Sequence, residues 1–382
     1  MSQKILITPG EFQKYTAILY LPAPPQPEWY SKKIAGVPFL LRNILVLQKL
    51  GIEKLLVWDD ERMDDSLDAF FEQIKKDPRL RLNWNRGRTF SSFQSETSFL
   101  VLDGSSLVDE CQTKAEMVLE NGDNPSFLPE SLKQFSGERE IYFLRSTSSE
   151  KPCRLENGKG FQEVEDRLLK SGGLNNDSFM DRLLTRFISR QLTGFFLQTS
   201  FTPNQITFLS LFIGLGAALC FFMGSYSMGV VGSILLLVSA WVDCTDGEVA
   251  RLKFMVSEWG AKLDIVADNI VHCAVFFSIG MGLFSSTEDP VFIYLGMFAV
   301  VGSLISFILL SKTIIGKKAE ATRIVSTETG KKEISDHLAN RDFTYFLFIL
   351  ALFGRLDIFI VLTAIGSNLF AVYLAWQKFR SS

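Results

Sequence analysis

The chain has too few cysteines, placed too far apart, to build a covalent framework. Cys111, Cys153, Cys220, Cys244 and Cys273 form no Cys-x-x-Cys pair and no even set, which excludes a zinc knuckle and a disulfide scaffold and fits a reducing compartment. Net charge is equally sparse. A formal value of −3 over 382 residues indicates neither a nucleic-acid binder nor an acidic tail. The opening MSQKILITPGEF lacks a basic start, an apolar run and a small-residue cleavage site, so it reads as no signal peptide. The most telling absence is local: from Phe201 to Val242 there is no Asp, Glu, Lys or Arg.

What fills that gap is apolar. About 20 apolar residues make one spanning helix, so the run holds two, with a turn near Gly224-Ser225-Tyr226-Ser227. A third span is expected over Leu263–Phe284 and a fourth within Val291–Ser311. Phe343–Gln377, interrupted by Arg355 and Asp357, gives two more. The fifth is short and must extend past Arg341 or sit in a thinned or protein-lined region. Six spans put Arg182, Arg186, Arg190, Arg251, Lys253, Lys317, Lys318, Arg323, Lys331, Lys332, Lys378 and Arg380 on one side. The opposite loops GSYSMG and SSTEDP carry no positive charge. Both termini are then expected in the cytoplasm, with the chain integral to the cell (inner) membrane. Arg355, in a very short loop, is the exception. Before the first span, Phe179, Leu183, Phe187, Ile188, Leu192 and Phe195 form a helical apolar stripe beside the three arginines. This predicts an amphipathic helix in the membrane interface among lipid headgroups, with a packing helix between domains as the alternative.

Charge reappears as acid. Asp243 and Asp246 are three residues apart and share a helix face, as do Asp264 and Asp268, four apart. Ionisable residues in membrane segments are costly and point to function. Two neighbouring helices bring the four carboxylates to one pocket, where cations must offset their repulsion. An all-oxygen set favours Mg²⁺ or Mn²⁺, and two ions about 3.5–4 Å apart would clamp a diphosphate. Gly247 and Gly260 permit close approach, and Arg251 supplies positive charge for phosphate oxygens. Internal ion pairing is the alternative, but only Arg251, Lys253 and Lys262 are near. A metal-ion transporter using the same carboxylates is a further reading, disfavoured by the clustering of all four at one side.

The complete pattern DxxDGxxARx8GxxxDxxxD, with Thr202-Pro203-Asn204-Gln205-Ile206-Thr207 upstream, resembles the CDP-alcohol phosphotransferase family over about residues 177–380. The resemblance implies a Mg-dependent transfer of a phosphoalcohol from a CDP-alcohol donor to a hydroxyl acceptor, with CMP leaving. It implies that Asp243, Asp246 and Asp264 bind metal and that Asp268, grouped with them, acts as the general base. Gly247, Ala250, Arg251 and Gly260, with Asn204, would shape the cytidine and diphosphate site. His272, on the face of Asp268, relays a proton, orients the acceptor, or is a packed neutral histidine, the stronger reading. Lys312 and Arg341 are candidates for a phosphorylated acceptor, or serve only the charge asymmetry of the loops. Cys244 is assigned no role.

Residues 1–165 read as a cytosolic three-layer α/β domain. Its expected strands are Ala17–Leu21, Lys54–Trp58, Arg81–Trp84 and Phe99–Leu102, and its helices Phe39–Leu50 and Asp65–Lys76. Ala35-Gly-Val-Pro-Phe-Leu-Leu-Arg42 through Gly51–Val57 resembles nucleotidyltransferases of the sugar-phosphate type, a domain that in some archaeal and bacterial proteins precedes this membrane domain and makes CDP-inositol for it. Leu168-Leu169-Lys170-Ser171 with Asp177 resembles the linker of those fusions, giving 166–200 as linker and interfacial helix and 201–382 as a six-helix bundle. One absence matters again. The first long strand leads into Pro22-Ala-Pro-Pro-Gln-Pro27 rather than a glycine-rich loop, and prolines have no N–H with which to cradle a triphosphate. Asp103-Gly104 is read as a surface turn rather than a metal site. A degenerate, non-catalytic domain is expected, with regulation, ligand binding or homodimer formation as its open roles.

Overall fold

The computed structural model describes residues 3–7, 9–23, 28–60, 67–87, 98–108, 117–121, 140–146, 158–171, 186–323 and 342–381. The chain divides into two compact units, Met1–Ser171 and Gly172–Ser382.

The first unit is built on a seven-stranded sheet of order β1-β8-β9-β7-β2-β5-β6. Its strands are β1 Gln3–Ile7, β2 Thr16–Leu21, β5 Lys54–Asp59, β6 Asn83–Arg86, β7 Ser98–Asp103, β8 Met117–Asn121 and β9 Glu140–Ser146. A separate hairpin pairs β3 Lys33–Ile34 with β4 Val37–Pro38. The centre is parallel: β2 runs with β5 (Ala17 opposite Leu55) and with β7 (Ala17 opposite Leu100), while β7 runs with β9. Antiparallel pairing of β8 with β9 and with β1 completes one side. All six residues of β2 are buried, as a strand covered on both faces requires. The helices are α1 Phe39–Lys49, α2 Asp68–Lys75 and α3 Gly158–Ser171. Phe161 of α3 meets Trp29 edge-on at 4.8 Å and Phe39 at 6.0 Å, which fixes that helix to the unit. The Arg81–Trp84 strand expectation falls two residues early, since Arg81 and Leu82 are bound through their N–H groups to Gln48 Oε1 before the ladder begins.

The second unit is helical. It contains α4 Arg186–Gln198, α5 Pro203–Phe222, α6 Tyr226–Leu252, α7 Glu258–Thr287, α8 Val291–Arg323, α9 Asp342–Leu352 and α10 Leu356–Ser381. Five of these hold stretches long and apolar enough to cross a membrane: Pro203–Phe222, Tyr226–Leu252, Glu258–Thr287, Val291–Leu309 and Leu356–Arg380. The apolar part of α9, Phe343–Leu352, is shorter. Short polar residues start the helices. Thr202 accepts from the Gln205 N–H while the Gln205 side chain accepts from the Thr202 N–H at 2.9 Å, a reciprocal cap with Pro203 in the first turn. Ser225 caps α6, and Ser257 caps α7 by accepting from the Gly260 N–H at 3.0 Å.

Within the bundle, small residues set the closest crossings, as expected where apolar burial gives helices no preference for one another over lipid. A Cβ on Gly280 would lie 3.0 Å from Gly296 Cα, where α7 meets α8. A Cβ on Gly282 would lie 2.1 Å from the Phe221 carbonyl oxygen, where α7 meets the end of α5. Gly282→Ala therefore forces backbone to move. It should destabilise the chain by about 1–3 kcal/mol, the usual range for overpacking. Thermal unfolding of the purified chain in detergent checks this, with a lowered midpoint expected.

Candidate metal and phosphate site

The acidic pattern comes together at one end of the bundle. Asp243 and Asp246 stand one turn apart near the end of α6, and Asp264 stands near the start of α7. One carboxylate oxygen from each lies within 4.8 Å of the others, with Asp243 and Asp246 buried and Asp264 half-buried. No other group of this kind occurs among the described residues. Asp268, expected to join them, is not in the group. It sits one helical turn further along α7, half-buried.

The donor set fits a hard divalent ion. Three carboxylates and no imidazole or thiolate favour oxygen-loving cations.

Helix α5 orients two of these carboxylates. Its Thr207 hydroxyl donates to Asp246, and its Ser210 hydroxyl lies 3.3 Å from Asp243 Oδ1. The pairs match because the helices are antiparallel: Thr207 and Ser210 are one turn apart, and so are Asp246 and Asp243. Ser239 in turn donates to the Ser210 carbonyl at 2.7 Å, so α5 and α6 are joined by a short polar ladder. Neither Thr207 nor Ser210 was anticipated from sequence. Their spacing beside the aspartate spacing was the available signal.

The glycines of the motif are sites of close approach. A Cβ on Gly260 would meet Asn204 Oδ1 at 3.0 Å, so Gly260 leaves room for the Asn204 side chain from the first turn of α5. A Cβ on Gly247 would meet the Arg251 guanidinium at 3.3 Å. Thus Asn204 is brought to Gly260, and Arg251 folds back over Gly247, while Ala250 is half-buried on the same helix. His272 is packed between aromatic rings, with Phe343 edge-on at 5.0 Å and Phe276 nearly parallel at 6.1 Å. The side chain of Lys312 and the whole of Arg341 lie outside the described residues, as do Phe179, Arg182 and Leu183.

In the first unit, the sheet's carboxyl edge carries Asp59, Asp60 and Asp103. Arg86 pairs with Asp59 and Asp68, and Tyr20 donates to Asp60 at 2.9 Å. Asp103 is turned onto its own loop, accepting from the Ser105 N–H at 2.9 Å and hydroxyl at 2.7 Å. The buried Tyr30 phenol donates to the Pro22 carbonyl at 2.7 Å, filling space beside the strand end with the chain's own side chain. Burial, with Asp103 nearby, holds that phenol well above its ordinary pKa.

A helical bundle with apolar helices of membrane-spanning length and a cluster of three carboxylates at one end is the class these features define. Residues 200–376 match the family model described as CDP-alcohol phosphatidyltransferase. The chain is 31% identical over 206 residues to the "Bifunctional IPC transferase and DIPP synthase" of Aquifex aeolicus, covering 53% of this chain and 45% of that protein. It is 33% identical over 81 residues to the "Archaetidylinositol phosphate synthase" of Pyrococcus horikoshii, covering 21% of this chain and 42% of that protein. The match thus spans less than half the length of either relative. A crystal structure of Mycobacterium tuberculosis phosphatidylinositol phosphate synthase with CDP-DAG bound aligns at a TM-score of 0.37 with 20% identity, covering 50% of this chain and 92% of that one.

If the three aspartates hold a divalent ion, Asp243→Asn, Asp246→Asn and Asp264→Asn should each weaken Mn²⁺ binding about tenfold or more, because each removes a charged ligand. Electron paramagnetic resonance titration of the full chain measures this. Wild-type affinity in all three would refute the assignment.

Proposed function

We propose that the chain is a membrane phosphotransferase that moves a phosphoalcohol, or phosphatidyl, group from a CDP-alcohol to a hydroxyl acceptor and releases CMP. The observation that carries this reading is the grouping of Asp243, Asp246 and Asp264 inside the family-matched segment. In the reaction, the acceptor oxygen forms a bond to the phosphorus bearing the alcohol. The bond from that phosphorus to the bridging oxygen breaks, its electrons leave with CMP, and the acceptor proton goes to a base. Mg²⁺ or Mn²⁺, as a pair of ions, would supply charge neutralisation at the diphosphate. The chain's part is placement. Asp243, Asp246 and Asp264 hold the ions, with Thr207 and Ser210 fixing two of them. Asn204, Gly247, Ala250, Arg251 and Gly260 receive the cytidine and diphosphate. Asp268, set apart from the three grouped carboxylates and one turn along the helix, takes the proton, and its separation supports the role of base over that of ligand. Lys312 and Arg341 are the acceptor-side candidates.

The membrane arrangement belongs to the same proposal. Helix α9 serves as a sixth crossing, so that both termini and the site share the cytoplasmic face of the cell (inner) membrane. At about 16 Å for 11 residues, α9 spans only part of a hydrocarbon core. An even count is still needed to keep Arg251, Lys253, Lys378 and Arg380 on one side. Helix α4 lies at the interface. Its exposed Phe187 and Phe195, 67% and 60% accessible, support this. Functionally the chain divides into a cytosolic domain at 1–165, a linker with the interfacial helix at 166–200 and the transferase at 201–382, assembled as a homodimer.

The cytosolic domain is proposed to be non-catalytic, supported by the proline run after β2 and by Tyr30 closing on Pro22. The second reading is a bifunctional enzyme that also makes its CDP-alcohol from CTP, in keeping with the name of the Aquifex relative. The full chain given CTP and inositol phosphate should release no pyrophosphate; clear release would establish the second reading.

The proposed base separates binding from chemistry. Asp268→Asn keeps the shape but cannot take the proton. Calorimetry should show nearly unchanged CDP-alcohol affinity, while CMP release falls by about 10²–10⁴-fold. Loss of donor binding instead would make Asp268 a metal ligand.

A further inference from the structure

Helix α6 is gripped on a second side. Glu248, one residue past Gly247, is 5% exposed, and both of its carboxylate oxygens are taken by α4. Thr193 Oγ1 donates to Glu248 Oε2 at 2.7 Å, and Ser189 Oγ donates to Oε1 at 3.2 Å. Ser189 and Thr193 are four apart, on one face, and are 1% and 0% exposed. Five residues after Glu248, the buried Lys253 ammonium donates to the carbonyls of Phe196 at 3.2 Å, Thr199 at 3.0 Å and Phe201 at 3.3 Å. Its three protons meet three carbonyl oxygens at and just beyond the C-terminal end of α4, where a cation also complements the helix dipole.

We infer that Glu248 is a positioning residue for the donor site, acting through Ser189 and Thr193 of α4 with Lys253 as the second tie. The two ties bracket Arg251 and fix the rotation of the turn that presents Gly247, Ala250 and Arg251. An apolar residue at 248 would pack α4 as well, but would tolerate its rotation. A buried carboxylate does not, because turning α4 strips it of the Ser189 and Thr193 donors while it stays desolvated. The division of labour is then spatial: α5 holds the metal-facing carboxylates through Thr207 and Ser210, and α4 holds the nucleotide-facing turn through Glu248. This inference rests on the transferase reading.

The test uses the full chain in detergent, with Mn²⁺ and cytidine diphosphate as probes. The double variant Ser189→Ala, Thr193→Val should bind the nucleotide about tenfold more weakly, from loss of both donors to a buried carboxylate. Its Mn²⁺ affinity should stay within about twofold of wild type, since no metal ligand is touched. In turnover, the donor KM should rise while kcat holds. Thr193→Ser, which keeps the hydroxyl, should bind like wild type, whereas Thr193→Val alone should not; this pair decides the matter if the double variant does not fold. Unchanged nucleotide affinity in Thr193→Val, equal losses of nucleotide and Mn²⁺ affinity, or equal losses in Thr193→Ser and Thr193→Val would each overturn the inference while leaving the transferase reading intact. Failure of the wild-type chain to bind the nucleotide would overturn the transferase reading, and this inference with it.

Discussion

Three carboxylates held within 4.8 Å of one another are the constraint around which the membrane half is organised. Like charges at that distance repel by on the order of 3 kcal/mol per pair, even at the effective dielectric of a partly solvated protein site. Helix α5, packed against both α6 and α7, brings their carboxylates to that point despite the repulsion. It does so with polar contacts where the acids are and with close backbone contact elsewhere. Thr207 and Ser210 reach Asp246 and Asp243 from α5, while Gly280, Gly282 and Gly296 allow near-contact of helix backbones further along α7. A divalent cation would turn that repulsion into coordination.

The helix ends repeat the theme. Asn204 follows the capped Thr202, and Gly260 is the residue whose N–H Ser257 caps. The two are close enough that a methyl group at 260 would press on the Asn204 carboxamide. Capping and site formation are therefore one local structure, which explains why a Thr-Pro-Asn-Gln segment opens the first long helix. At the C-terminal end of α6, Lys253 ties the helix to α4, and the chain turns at Phe254 with a left-handed φ of 55°. This is an uncommon conformation for a bulky residue, tolerated here because Met255 N–H returns to the Ala250 carbonyl at 2.8 Å.

Much of this was legible in sequence because it depends on periodicity. Asp243 with Asp246, and Asp264 in the next helix, announce themselves as acids in apolar surroundings at helical spacing. The long spans and the core strands β2, β5 and β7 are contiguous apolar runs. What was not legible depends on partners far along the chain. Thr207, Ser210, Ser189 and Thr193 look like small packing residues until the opposing carboxylate is placed. Glu248 lies inside the motif, yet its neighbours are 55 and 59 residues away. The antiparallel strands β1, β8 and β9 lack a distinctive local pattern, and β6 begins two residues late because Gln48 holds Arg81 and Leu82 outside the ladder. Asp268 follows Asp264 by four residues, so it stands one helical turn further along the same helix.

The two units pose different chemical questions, and the membrane unit carries the central one. The most direct measurement is CMP release by the purified full chain from a panel of CDP-alcohols and hydroxyl acceptors, with Mg²⁺ or Mn²⁺ and then with excess chelator. The account predicts release with at least one donor and acceptor pair, abolished by the chelator and restored by either ion. CMP release that persists in the chelator, or none from any pair with metal present, would contradict it.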